Sequence, residues 1–149
     1  MERKDFCIYK PNGKGTGGVA QFKMHRQDEC MFLECASQVR PMDDPKPYNW
    51  DAKIIVKLGM VDIGKLLGYF ALNAPQSALK LYHESPNGAN KTIELKYQEY
   101  KGAPSYFLSI STKENKEASV QRVSLPVGLD EVELLKVCLK QAVRLMLAW

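Results

Sequence analysis

Between residues 51 and 59 the chain reads DAKIIVKLG, with Lys53, Ile55 and Lys57 on one side of an extended backbone and Ile54, Val56 and Leu58 on the other. Period two of this kind predicts a half-buried β-strand. Shorter runs before it predict three more strands: 5–9, 19–25 and 30–36. A glycine-rich turn follows the first, and a polar turn at 26–29 separates the second from the third. A loop at 39–49 carries Pro41, Pro45 and Pro47. At 60–72 the alternation stops. Met60, Ile63, Leu67 and Phe70 recur at steps of three and four, which predicts an amphipathic helix, with Gly64 and Gly68 as sites of close helix packing.

The second half repeats this plan. Residues 78–85 form a strand and an Asn-Gly turn follows at 86–90. In 91–102, Ile93, Leu95 and Tyr97 oppose Thr92, Glu94, Lys96 and Gln98, which places Tyr97 inward and Tyr100 outward. Strands at 103–112 and 119–127 flank a charged turn at 113–118. A helix is predicted over 129–149, with Val132, Leu135, Leu139, Ala142, Met146 and Trp149 in one stripe and Trp149 in a structural role. Leu134, Val137 and Leu145 widen the apolar surface beyond one face, which predicts an oligomer interface or a sandwiched helix. The two strand-to-helix junctions are alike, VKLGMVDIGKLL and LPVGLDEVELLK. The expected organisation is one domain over 1–149 with an internal pseudo-repeat, 1–75 and 76–149.

The length of 149 residues fits one ordinary core. A formal charge of +4 is compatible with a nucleic-acid partner. No apolar run is long enough to span a membrane, and no signal-like segment opens the chain. The expected location is therefore cytoplasmic, or organellar after presequence removal. Cys7, Cys30, Cys35 and Cys138 lack C-x-x-C spacing and His25 lies far from His83, so no zinc site is indicated. The four cysteines read as buried thiols in a reducing compartment, with Cys30 and Cys35, which flank a strand-like run, as the candidates for partial exposure. Asp43, Asp44 and Asp51 read as a solvated acidic loop. No metal or cofactor is expected. No nucleophile–base set can be assembled from the two histidines, which argues against an enzyme.

Residues 10–25, KPNGKGTGGVAQFKMH, contain G-x-G-x-x-G at Gly13, Gly15 and Gly18. A dinucleotide loop needs a helix after the glycines, and here a strand follows; a P-loop needs its lysine after the last glycine. Two readings stay open: a flexible turn, or bare backbone that a sugar-phosphate chain approaches beside Lys10, Lys14 and Lys23.

Several stretches in chain order resemble the Whirly single-stranded-DNA-binding family. They are Lys14-Gly15, Tyr48-Asn49-Trp50 ahead of a lysine-bearing strand, Ile63-Gly64, His83-Glu84-Ser85-Pro86, the aromatic strand 106–111, and the terminal Trp149. Gly17 and Gly18 stand where the family carries alanines, Asn49 stands where it carries an acid, and the His-Asp-Pro motif is longer by one residue. The resemblance extends to the shorter positive-cofactor-type coactivators. It implies an α+β fold: two four-stranded antiparallel sheets, ββββα-ββββα, packed on helices. It also implies a homo-oligomer, a tetramer through the C-terminal helix, with single-stranded DNA or RNA on the sheet faces and no membrane association.

Sequence-tolerant binding of single strands needs cations for phosphates and aromatic faces for bases. The nucleic-acid-binding candidates are Lys10, Lys14 and Lys23 near the glycine run, then Tyr48, Trp50, Lys53 and Lys57 around the fourth strand. In the second half they are Lys96, Tyr100, Phe107 and Lys113. Phe22 reads as core, Trp50 fits packing and binding equally, and His83 reads as a local hydrogen-bonding residue. The expected function is single-stranded DNA binding with little sequence preference, in replication, recombination, repair or transcription. Single-stranded RNA binding and an oligomeric scaffold are the alternatives.

Overall fold

The computed structural model describes residues 2–25, 27–115 and 117–149. The polar turns at 26–29 and 113–118 include Arg26 and Lys116, which lie outside the described residues. Strands β1 (Phe6–Lys10), β2 (Gly18–His25), β3 (Cys30–Ser37) and β4 (Ile54–Leu58) form one antiparallel sheet in sequence order, and helix α1 (Met60–Phe70) follows. Strands β5 (Leu79–Glu84), β6 (Asn90–Tyr100), β7 (Ala103–Lys113) and β8 (Gln121–Val127) form a second, followed by α2 (Leu129–Met146). The fold is thus ββββα-ββββα. Lys53 precedes β4, because residues Trp50–Ala52 form a 3-10 turn.

Alternation assigns the faces. In the first sheet Ile8, Ala20, Cys35 and Ile54 share one cross-strand row, and Phe6, Phe22, Leu33 and Val56 the next. In the second, Leu81, Ile93, Ile110 and Val123 form a row beside Leu79, Leu95, Leu108 and Leu125. These inner faces and one stripe of each helix make a single apolar core. The two helices begin alike. Each has a glycine at the N-cap whose N–H donates to an acid three residues on, Gly59 to Asp62 at 3.0 Å and Gly128 to Glu131 at 2.9 Å. A carboxylate there also suits the positive end of the helix dipole.

Cys30 and Cys35 are buried thiols, as the sequence reading has them, and burial pushes both up from the ordinary range. Several other positions differ from that reading. Cys7 and Cys138 are only half-buried. In α1 the buried residues are Ile63, Leu66, Tyr69 and Phe70, while Met60 is exposed. The stripe is rotated because Tyr69 and Phe70 both pack edge-on against Tyr106 of β7, with centroids 6.0 and 5.2 Å away. Tyr69 also donates to Ser77 O at 3.0 Å and accepts from Tyr97 N–H at 3.1 Å, which ties α1 to β6. Gly64 and Gly68 face open space, so they serve no close packing. Helix α2 stops at Met146. Ala148 turns left-handed, φ 56°, and Trp149 N–H closes onto Arg144 O at 3.0 Å. This reversal is a Schellman-type end, and it carries Trp149 off the stripe into solvent, 85% exposed.

Candidate nucleic-acid interface

The glycine run is a built loop. Asn12 Oδ1 accepts from Lys14 N–H at 3.1 Å and from Thr16 N–H at 3.0 Å. Gln38, buried at the end of β3, accepts through Oε1 from Asn12 N–H and Gly17 N–H, and donates through Nε2 to Asn12 O and Arg40 O. A Cβ on Gly17 would overlap the Lys10 carbonyl oxygen and stand 2.7 Å from Gln38 Oε1. A Cβ on Gly18 would meet Val123 Cγ1 at 3.1 Å, because β8 passes directly over the start of β2. Glycine is required here for close approach of protein to protein. The loop N–H groups at positions 12 and 14–17 are already satisfied internally, so the run is not a phosphate cradle. It presents Lys14 to solvent instead.

The outer face of the first sheet carries three of the candidate lysines. Lys23 on β2 and Lys53 before β4 converge on Glu34 of β3, at 3.0 and 2.8 Å. Glu34 is 6% exposed. Burial pushes its carboxyl up, but the two ammonium groups outweigh this and hold it below the ordinary carboxylate range. The same pairing pushes the Lys23 ammonium up. Lys57 is exposed and stands opposite Phe32 of β3, whose ring meets His25 edge-on at 5.6 Å. Beside these, Tyr48 and Trp50 fold over Val19 and Ala36 as a second small cluster.

The outer face of the second sheet is more open. Lys96 and Phe107 are direct cross-strand partners on β6 and β7, both exposed. Tyr82 of β5 lies on the same face, 60% exposed. Tyr100 ends β6 at the tip of the hairpin, 70% exposed, with Lys101 Nζ 5.4 Å from its ring centre. Arg122 and Ser124 of β8 complete the face, and Lys113, half-buried, ends β7.

Two candidates are corrected. Lys10 is bound to Glu131 at 2.7 Å, so its charge is neutralised at the start of α2. Tyr48 is buried, its ring 6.1 Å from that of Tyr9 and its hydroxyl without a partner among the described residues. Burial pushes that phenol up and leaves no face for a base. Trp50 is half-buried on the same cluster. Tyr97 is half-buried, capped by a hydrogen bond from its hydroxyl to Glu99 at 2.8 Å. His83 Nε2 lies 3.2 Å from Asp62 Oδ1, which brings β5 against the start of α1. Sequence reasoning missed Glu34, Phe32, Tyr82 and Arg122. Alternation along 79–84 and 121–127 marks Tyr82 and Arg122 as outward.

Two sheets of four antiparallel strands, each followed by a helix, with cations beside aromatics on the outer faces, define a nucleic-acid-binding fold. The family model described as Whirly transcription factor matches residues 15–138, and the chain belongs to that family. Among solved structures, WHY3 from Arabidopsis thaliana is similar at a TM-score of 0.74 and 16% identity, covering 100% of this chain and 91% of that one. The plant transcriptional regulator PBF-2 is similar at 0.70 and 14%, covering 100% and 86%. A guideRNA-binding protein complex bound to a gRNA is similar at 0.62 and 15%, covering 97% and 92%. No curated protein sequence matches the chain.

Proposed function

We propose that this chain binds single-stranded DNA with little sequence preference, through phosphate contacts and base stacking on the outer sheet faces, in replication, recombination, repair or transcription. The observation that carries the proposal is the Lys96–Phe107 pair. A cation and an exposed ring stand directly opposite on neighbouring strands, so one strand of nucleic acid can meet a charge for its phosphates and a face for its bases together. Lys57 beside Phe32 repeats the arrangement on the first sheet. Single-stranded RNA is the second reading, supported by the fold shared with a guideRNA-binding complex and by the indifference of stacking to the sugar.

Assembly is part of the proposal. Leu134 and Val137 of α2 are 58% and 66% exposed. Val137 and Leu145 also line an apolar groove of about 290 Å³ against Phe6, Phe22 and Met31. Covering this surface supports a homo-oligomer through α2, a tetramer by analogy with the family resemblance.

The test is a titration of fluorescein-labelled 32-mer single-stranded DNA, matched RNA and duplex DNA at several salt concentrations. Binding to the single strand should fall with salt at a slope near −0.7 per phosphate contacted. Phe107→Ala should weaken it by about 1–3 kcal/mol, the worth of one stacked base. An absence of binding to all three at low salt sinks the proposal.

A further inference from the structure

Two adjacent outward rows cross β6, β7 and β8, Thr92–Ser111–Arg122 and Glu94–Ser109–Ser124. Small hydroxyl residues occupy the middle, so the face sinks into a recess of about 250 Å³. That is below the roughly 300–1,000 Å³ of pockets that engulf a drug-sized molecule, and it suits one ring system. Ser109 lines it beside Ser111, its hydroxyl held by that of Ser124 at 2.9 Å.

The two charged residues stand at opposite corners. Two strand spacings and two residue steps put their Cα atoms roughly 12 Å apart. A carboxylate and a guanidinium that share a recess ordinarily pair, and these do not. The Glu94 carboxylate is 3.8 Å from Lys80 on its far side. Arg122 has neither an ion-pair nor a hydrogen-bond partner among the described residues. One end of the recess therefore offers two acceptor oxygens and the other a donor fork.

Resting on the single-strand reading above, we propose that this recess is a base-reading pocket for guanine. Guanine alone among the four bases has two adjacent N–H donors on one edge, N1 and N2, and two adjacent acceptors on another, O6 and N7. The Glu94 carboxylate takes the first pair and the Arg122 guanidinium the second. Adenine and cytosine offer the carboxylate a single amino group, and thymine a single imide N–H. A phosphate is the wrong occupant, because Glu94 lines the space and repels it. Phe107 in the next row and Tyr82 opposite Thr92 flank the recess with exposed rings, so the base enters beside a stacking surface. The pocket imposes a single-base bias on a track that is otherwise tolerant of sequence.

The experiment compares an all-thymine 16-mer with the same strand carrying one central guanine, or one central hypoxanthine, which lacks the N2 amino group. An all-uracil RNA series runs in parallel. Guanine should raise affinity roughly tenfold in at least one of the two sugars, and hypoxanthine should lose most of that gain. Glu94→Gln should abolish the gain while leaving all-thymine binding intact or stronger, which also shows that the variant is folded. Arg122→Lys keeps the charge, removes the fork, and should lose the gain as well. Equal affinity for guanine and thymine strands in both sugars, or a gain that survives Glu94→Gln, overturns the pocket and leaves the single-strand reading standing. Failure of the all-thymine and all-uracil strands to bind at low salt overturns both.

Discussion

Glu34→Gln tests whether the outer face of the first sheet carries phosphates. In the folded chain Glu34 holds the ammonium groups of Lys23 and Lys53 at 3.0 and 2.8 Å, and it is the acid between them. Removing its charge releases two lysines whose side chains are 39% and 34% exposed. Each can then meet a phosphate. With a slope near −0.7 per contact on a single strand, two new contacts steepen the salt dependence by up to about 1.4. Between 50 and 200 mM salt, a fourfold change, that is up to about a sevenfold greater loss of affinity than the parent shows. Low-salt affinity rises accordingly. The stability cost is small, because both ammonium groups reach water once released. About 1 kcal/mol applies rather than the 3–5 of a sealed pair, a drop of roughly 2–4 °C in melting temperature at this chain length. Fluorescence anisotropy of labelled oligo-dT across the salt series reads the first effect and thermal unfolding the second. An unchanged slope with unchanged affinity refutes the reasoning: phosphates then do not pass over Lys23 and Lys53.

The same carboxylate makes a pH prediction. Its folded pKa is lowered, so its contribution is complete above the ordinary carboxylate range, near 4.3, and is lost as pH falls through the lowered value. The stability gap between the parent and Glu34→Gln, measured by denaturant titration, should therefore close below about pH 4. Gly17→Ala should cost about 1–3 kcal/mol, since its Cβ overlaps Lys10 O. Gly13→Ala, with nothing within 4 Å, should be nearly neutral in the same thermal melt. Leu139→Ala removes a fully buried side chain and should cost about 2–5 kcal/mol. Leu134→Glu with Val137→Glu on α2 should shift sedimentation from oligomer to monomer with little change in melting of the monomer fold; an unaltered mass places the assembly surface elsewhere.

How much of this was legible in the sequence depended on where solvent met the chain. Residues 54–58 and 91–100 alternate because one face is wet, so their faces could be read directly. β3 could not be read in the same way. Tyr48 and Trp50 cover part of its outer side, Ala36 is buried beneath them, and CMFLECA becomes an apolar run that conceals Phe32 and Glu34 as outward residues. Lys10 looks like its neighbours until α2 brings Glu131 to it from 121 positions away. The end of α2 gave no local warning either. The left-handed residue is Ala148 rather than glycine, so the apolar stripe runs on past the true terminus to Trp149. The rotated stripe of α1 follows from Tyr106, a packing partner on the other sheet.

The Asn12–Gln38 latch has a consequence for how tightly Lys14 can hold a strand. The loop 12–16 is held by bonds at Asn12, Lys14, Gly15 and Thr16 that exist before any ligand arrives. Ordering a free loop of that length on contact would cost about 1–2 kcal/mol per residue in lost backbone entropy. Here that ordering belongs to the folding reaction. Binding has only the lysine side chain left to arrest, so a lone surface cation on this loop works with the advantage of a preorganised one.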